Sequence, residues 1–448
     1  LDLDVLHMTP SPDDLNAPQP EPNTGGISWI GFLLALLAIF VYLQIVINVR
    51  ISHGHSGDFR HFYFAAEAML RHKDLFSSGT KGYLYPPLIA FVYTPVVPLG
   101  FIAAQRVMLG VNTLLTIAGI LLITAEFMDR FEIRKTRALF FGIAVLGALL
   151  NVDKIRTELQ MFQTNATMFF MFALSLRLLD RRSWLAGVPL GFIFNIKYLS
   201  LGMLPWLLVR RRWGTAISCV LSTVFFAVLP TAISGWSGKT GNLAALETSY
   251  GGLLKMVGIH TGNAEQANVE DIKDLLSCSI TSAMARTPLS GGNEKVGLVF
   301  AGLLALASLA TVVWLYRKNR LPLFAWPVPR GQQEQPWKVV VGIEFTTIVM
   351  VTLIFSPQTN TRHLLLVLLL TIPAAALLVG ARPGVPRAPL AIAMGILFLG
   401  FIFPFGDRSP HISMLWFGIG GQCWCLLIAM FSMLSAGLLQ AKILSRDV

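Results

Sequence analysis

The strongest constraint on this chain is a repeated alternation. Apolar runs of roughly 20 residues, the length that crosses a bilayer as a helix, are closed again and again by short clusters of Lys and Arg. The run 102–128 meets Arg130, Arg134, Lys135 and Arg137, and the run 296–316 meets Arg317, Lys318 and Arg320. Only 13% of the 448 residues are charged and 54% are hydrophobic, against about 25% charged in an ordinary soluble domain. A soluble enzyme would lack polar surface, and the same figures exclude disorder and a disulfide scaffold. The chain reads as an all-α polytopic membrane protein. Its net charge of +11 sits in clusters between apolar runs, as cytoplasmic loops require, so nucleic acid is not an expected partner. Cys219, Cys278, Cys423 and Cys425 show neither metal-ligand spacing nor a disulfide framework.

The pattern predicts about 12 transmembrane helices. They fall at 27–49, 102–128, 139–150, 159–179, two short crossings within 184–209 that turn near Asn195 and Lys197, then 215–233, 296–316, 339–355, 364–379, 388–405 and 412–439. The segment 86–100 is too short and proline-broken to cross and reads as an interfacial or re-entrant helix. With the N-terminus inside, every strong basic cluster lies on the cytoplasmic side, and the loops 50–101 and 234–295 lie outside. Residues 27–439 then form one domain between a disordered cytoplasmic tail, 1–26, and a second tail, 440–448. The tail 1–26 lacks the basic and apolar regions of a signal peptide, and its Asp2-Leu3-Asp4 reads as a chance match to a sugar-nucleotide motif.

Phosphate-loop, dinucleotide and zinc-protease motifs are missing. The densest polar segment is His53-Gly-His-Ser-Gly-Asp58-Phe-Arg60-His61-Phe-Tyr63, just beyond the first span. Asp58 can cap a short helix starting at Phe59, with Phe59, Phe62, Tyr63 and Met69 on its lipid side, or accept a proton from a bound hydroxyl, or both. Tyr85 can anchor at the interface or stack on a sugar. Gln163, Asn165, Lys197, Arg362 and His363 are polar groups at membrane depth. Lys197 there either snorkels to the interface or holds an anion such as phosphate.

In these segments the chain resembles glycosyltransferase family 87, the polyprenyl-phosphate-mannose-dependent mannosyltransferases of the GT-C superfamily. The resemblance rests on Gly57-Asp58-Phe-Arg-His-Phe-Tyr63, Tyr85-Pro-Pro-Leu88, Phe162-Gln163-Thr-Asn165, and Ala186-Gly-Val-Pro-Leu-Gly191 with Asn195-Ile-Lys197. It continues through Ser279-Ile-Thr-Ser-Ala-Met-Ala-Arg286 and Ser356-Pro through His363. Phe162 stands where the family commonly has Gly, and Arg362 replaces the first His of a usual pair. The resemblance implies a GT-C-like fold in a bacterial-type plasma membrane, with the active site in the outer loops. It implies a polyprenyl-phosphate sugar donor, a glycolipid or polysaccharide acceptor, and no metal or other cofactor. It makes Asp58 the general base in an inverting transfer, with His363 also catalytic. Arg60, Tyr85, Gln163, Asn165, Lys197, Arg286 and Arg362 become candidates for holding the donor's phosphate or sugar. The rival class is a transporter or flippase, which would share the spans and intramembrane charge. No internal repeat favours it.

Overall fold

The computed structural model describes residues 29–75, 83, 85–234, 250, 272–273, 277–287, 293–323, 334–357, 359–403 and 410–446. The expected tail 1–26 and most of the loop 234–295 lie outside the described residues. The described chain is helical throughout. Its elements are α1 Trp29–Ser52, α2 Phe59–Leu70, α3 Pro87–Tyr93, α4 Phe101–Arg130, α5 Arg137–Leu149 and α6 Val152–Met161. Then follow α7 Asn165–Arg181, α8 Ser183–Phe194, α9 Met203–Val209, α10 Trp213–Ser234 and α11 Ile280–Arg286. The last are α12 Glu294–Asn319, α13 Glu334–Phe355, α14 Leu368–Gly380, α15 Arg387–Ile402, α16 Pro410–Gly418 and α17 Gly421–Leu444.

Among the described residues, seven helices are long and apolar enough to cross a membrane, or eight if the bent pair α5–α6 counts as one span. Shorter apolar helices occupy 87–99, 183–194, 198–209 and 387–402. This is an integral, multi-pass helical membrane protein. The broken segment 86–100 is α3 followed by a 3-10 turn, Thr94–Leu99, as its prolines predict. The stretch 184–209 breaks at Asn195 and Lys197, where α8 gives way to the 3-10 turn Tyr198–Ser200 and then α9.

Three expectations change. The run 159–179 is not one helix. Residues 152–161, with Asp153, Lys154, Arg156 and Glu158, form α6, bent by 68° from α5, and α7 begins only at Asn165. The run 412–439 is two helices, because Gly420 takes φ +67° and ends the backbone ladder between α16 and α17. Finally, Phe59, Phe62, Tyr63 and Met69 face protein rather than lipid. All four are buried, and the ring of Phe59 sits 5.2 Å from Phe101 and 5.9 Å from Phe162.

Small residues set the closest helix contact. A Cβ on Gly187 or Gly191 of α8 would fall 2.1 Å from the Oγ of Ser218 or Ser222 on α10. Only glycine lets the two backbones approach this far. The Ser222 hydroxyl donates to the Gly187 carbonyl at 3.2 Å, and Asn195 Nδ2 donates to Gly191 O at 2.8 Å and Thr223 O at 3.0 Å. The break that carries Lys197 is thereby fastened to α10.

Candidate active site

Asp58 ends the turn between α1 and α2. Gly57 has φ +51°, and a Cβ there would sit 2.7 Å from the Met161 carbonyl oxygen. With no Cβ in the way, the Asp58 amide donates to that same carbonyl at 2.9 Å. This bond fixes Asp58 against the end of α6. Its carboxylate makes no hydrogen bond to the first turn of α2, so the capping role does not materialise. Asp58 itself is in the right-handed region, φ −84° and ψ −4°, whereas a capping side chain usually needs an extended backbone. Its Oδ2 instead accepts from Gln163 Nε2 and from the Arg362 guanidinium at 2.6 Å. Among the described residues, no donor reaches Oδ1.

Gln163 lies in the short link between α6 and α7, and Asn165 is the first residue of α7. Phe162 starts that link in the left-handed region, φ 55° and ψ 42°. This conformation costs a side-chain-bearing residue about 1–2 kcal/mol relative to Gly. Here the buried phenyl ring against Phe59 offsets the strain. The Gln163 carbonyl oxygen Oε1 faces Lys197 Nζ at 3.4 Å and the Tyr85 hydroxyl at 3.5 Å. Its main-chain carbonyl accepts from Asn112 Nδ2 at 3.2 Å. Asn165 Oδ1 accepts from Lys197 at 3.2 Å, while its Nδ2 donates to Glu158 Oε2 at 2.7 Å and to the Arg362 carbonyl at 3.0 Å.

Glu158 completes the arrangement and was not singled out from the sequence. Fully buried on α6, it accepts from Asn165 with one oxygen and from the Ala166 amide, at 2.9 Å, with the other. It thereby caps α7 from outside and fixes the Asn165 amide with its oxygen toward Lys197. The available signal was an acidic residue within one helix length of Gln163 and Asn165. Its partners, however, become adjacent only when the α6–α7 link turns. The resulting sequence in space is carboxylate, amide, ammonium, amide, carboxylate: Asp58, Gln163, Lys197, Asn165, Glu158. Lys197 Nζ also lies 5.6 Å from the centre of the Tyr85 ring, within cation–π range. Lys197 thus points into this cluster rather than snorkelling away.

The segment preceding α11 and the loop after α13 are laced together. Ser277 pairs with Asn360 in an isolated bridge, and the Cys278 amide donates to Thr359 O at 2.8 Å. Two of the sequence motifs thus meet in space. The Asn360 side chain accepts from the Arg362 amide at 3.0 Å, and the Asn360 amide donates to His363 Nδ1 at 3.3 Å. His363 is therefore a buried cap residue of the 3-10 turn Thr361–Val367, with Nδ1 as acceptor. The cap presents Arg362 to Asp58.

Two candidates stand apart from the cluster in their described contacts. Arg286 donates to the carbonyls of Ser277 at 2.9 Å, Phe417 at 3.2 Å and Gly418 at 3.1 Å. The Phe417 and Gly418 carbonyls lie at the C-terminal end of α16, for which a guanidinium is a natural partner. Arg60 is exposed on α2, and none of its described hydrogen bonds enters the cluster. Its neighbour His61 has a pKa lowered first by burial, then by Arg60 and Arg362, with Asp58 opposing. Among the described residues, no group of three or more His, Cys, Asp or Glu is placed to hold a metal ion.

The description "Glycosyltransferase family 87" matches residues 83–327, more than half of the chain. The chain belongs to glycosyltransferase family 87. The matching family is described as one of glycosyltransferases, which speaks against the transporter reading. The matched stretch carries Tyr85, Gln163, Asn165, Lys197 and Arg286, whereas Asp58, Arg362 and His363 lie outside it. The chain is also similar to an alpha-(1->3)-arabinofuranosyltransferase of Corynebacterium glutamicum, 24% identical over 231 residues. That alignment takes in 49% of this chain and 53% of the relative, so the chain spans about half the length of the curated relative it matches. No solved structure matches the chain.

Proposed function

We propose that the protein transfers a sugar from a polyprenyl-phosphate donor to a hydroxyl of a glycolipid or polysaccharide, on the extracytoplasmic face of the membrane. The reading rests on one observation above the rest. Asp58 has an oxygen with no described donor, while two cations, Lys197 and Arg362, stand in the same hydrogen-bonded cluster. In this scheme Oδ1 takes the proton of the acceptor hydroxyl as its oxygen bonds to the anomeric carbon. The bond from that carbon to the phosphate oxygen breaks, with inversion, and the electron pair leaves on the polyprenyl phosphate. Lys197 and Arg362 stabilise the charge that grows there. Gln163 and Asn165 hold Lys197 in place, and Tyr85 offers an aromatic face to the sugar. His363 acts through the loop that carries Arg362. Arg286 acts at a distance, by fixing the end of α16.

The sugar implied by the family resemblance is mannose. The arabinofuranosyltransferase relative supports a second reading, in which the donor carries arabinofuranose. Purified protein incubated with polyprenyl-phosphate mannose, polyprenyl-phosphate arabinofuranose and a membrane glycolipid extract distinguishes them by the mass added to the acceptor. A hexose increment carries the mannose reading and a pentose increment the arabinose reading. Transfer from a sugar nucleotide and from neither lipid donor would overturn both.

A further inference from the structure

A cavity of about 350 Å³ lies at the end of α4 remote from Asp58, walled by Met128, Phe140 and Phe141 and rimmed by Asp129, Lys135, Arg137 and Arg177. Three cations face one carboxylate there. Asp129 is engaged by Lys135 and by Arg177 at 3.2 Å, and Arg177 also serves Glu126 at 3.0 Å. Arg137 is exposed and has no carboxylate partner among the described residues; its guanidinium sits 5.1 Å from the ring centre of Trp29. Trp29 in turn stacks on Phe141 at 6.1 Å. At the start of α5 the Thr136 hydroxyl accepts from Leu139 N, which leaves the Arg137 and Ala138 amides with no described acceptor. The cavity thus combines a cationic rim, the Arg137 amide beside it and an apolar wall. It sits where the apolar run of α4 ends and that of α1 begins with a Trp, the level of a lipid headgroup.

We infer that this cavity binds the phosphodiester headgroup of an anionic phospholipid, with an acyl chain along Phe140 and Phe141. Lys135 and Arg137 supply the charge, and Asp129 holds Lys135 and Arg177 at the rim. The inference is independent of the transfer reaction.

Native mass spectrometry of the full chain in a zwitterionic detergent, titrated with dioctanoyl phosphatidylglycerol, tests it. The parent should retain this lipid in preference to dioctanoyl phosphatidylcholine. Lys135→Gln with Arg137→Gln should weaken retention about 30-fold, two cationic contacts at about 1 kcal/mol each. Equal retention of the choline lipid, or an unweakened double variant, would overturn the assignment. Displacement of the lipid by inorganic phosphate at matching concentration would make this a free-anion site instead. Preferential, variant-sensitive retention of polyprenyl phosphate would make it an isoprenoid site. If the double variant fails to fold, a photoreactive phosphatidylglycerol on the parent decides: label in 125–141 supports the site, and label elsewhere rejects it.

Discussion

The two ends of α4 both bury charge, and they do it differently. At 1.5 Å per residue its 30 residues set the ends about 45 Å apart. At the far end Arg130 is 2% exposed, donates to Glu126 at 3.0 Å and Asp180 at 2.8 Å, and reaches the Lys338 carbonyl. Arg212 meets the other oxygen of Asp180 at 2.9 Å, and Arg177 the other oxygen of Glu126. Both oxygens of each carboxylate are taken by guanidinium groups. Nearby, Glu344 is likewise occupied by Arg210, by Trp206 Nε1 at 2.9 Å and by the Tyr316 hydroxyl at 2.6 Å. At the near end Arg362 pairs directly with one oxygen of Asp58, but neutral amides separate Asp58, Lys197 and Glu158, and the other oxygen of Asp58 has no described donor. A saturated ionic knot holds helices together; charges spaced by amides and left with a spare lone pair are suited to handling a substrate.

Breaking the knot should have the largest effect. Arg130→Met leaves Glu126 and Asp180 short of a partner inside the bundle, which typically costs about 3–5 kcal/mol. Melting in detergent should fall steeply, while turnover per folded molecule stays within a few-fold. Near-parent stability would show that Arg177 and Arg212 suffice alone.

Asp58→Asn probes the other end. The carboxamide keeps the size and retains an acceptor for Arg362, but it cannot take a proton. Melting and donor binding should survive while sugar transfer drops at least about 100-fold. Turnover close to the parent's would move the base elsewhere, with His363 the next residue to test.

A smaller loss is expected at Lys197→Met, where removing a charge-assisted hydrogen bond costs about 1.5–3 kcal/mol, or about 10- to 150-fold in affinity. Equilibrium binding of a polyprenyl-phosphate sugar reads it directly. Unchanged affinity would reduce Lys197 to a structural link between Gln163 and Asn165.

The mildest difference concerns pH. Because His61 has a pKa below its ordinary 6.5, the unfolded chain binds its proton more readily than the folded one. The stability this contributes is present above about pH 6.5 and is lost as the pH falls through the lower folded value. Melting curves between pH 7.5 and 5 should show the decline, and His61→Asn should flatten it.

How much of this was legible in the sequence varies by residue. Apolar runs and basic clusters dictate the helices, because a long uncharged run has few other solutions in lipid. Asp58, Gln163, Lys197 and Arg362 were visible as polar groups where such groups are expensive. The break at Asn195 and Lys197 was visible from charge at both ends of 184–209. Glu158 was not, since its role depends on a turn that brings α6 against α7. Nor was the break at Gly420: glycine is common inside transmembrane helices, and only the observed φ reveals a stop here. Arg286 had the right chemistry for phosphate, yet a helix end supplies carbonyls that use the same donors. The capping role foreseen for Asp58 failed because its backbone is already helical, which leaves the side chain pointing elsewhere.

Phe162 has one more consequence. A glycine at that hinge would leave the link between α6 and α7 free to sample many conformations, and each arriving donor would have to arrest it. The wedged phenyl ring holds the link still from the moment the bundle forms. The entropy of ordering Gln163 and Asn165 is therefore lost once, during folding, and not again at every binding event. Substituting Gly at 162 would exchange a tense, preorganised amide pair for a relaxed one that must be recruited.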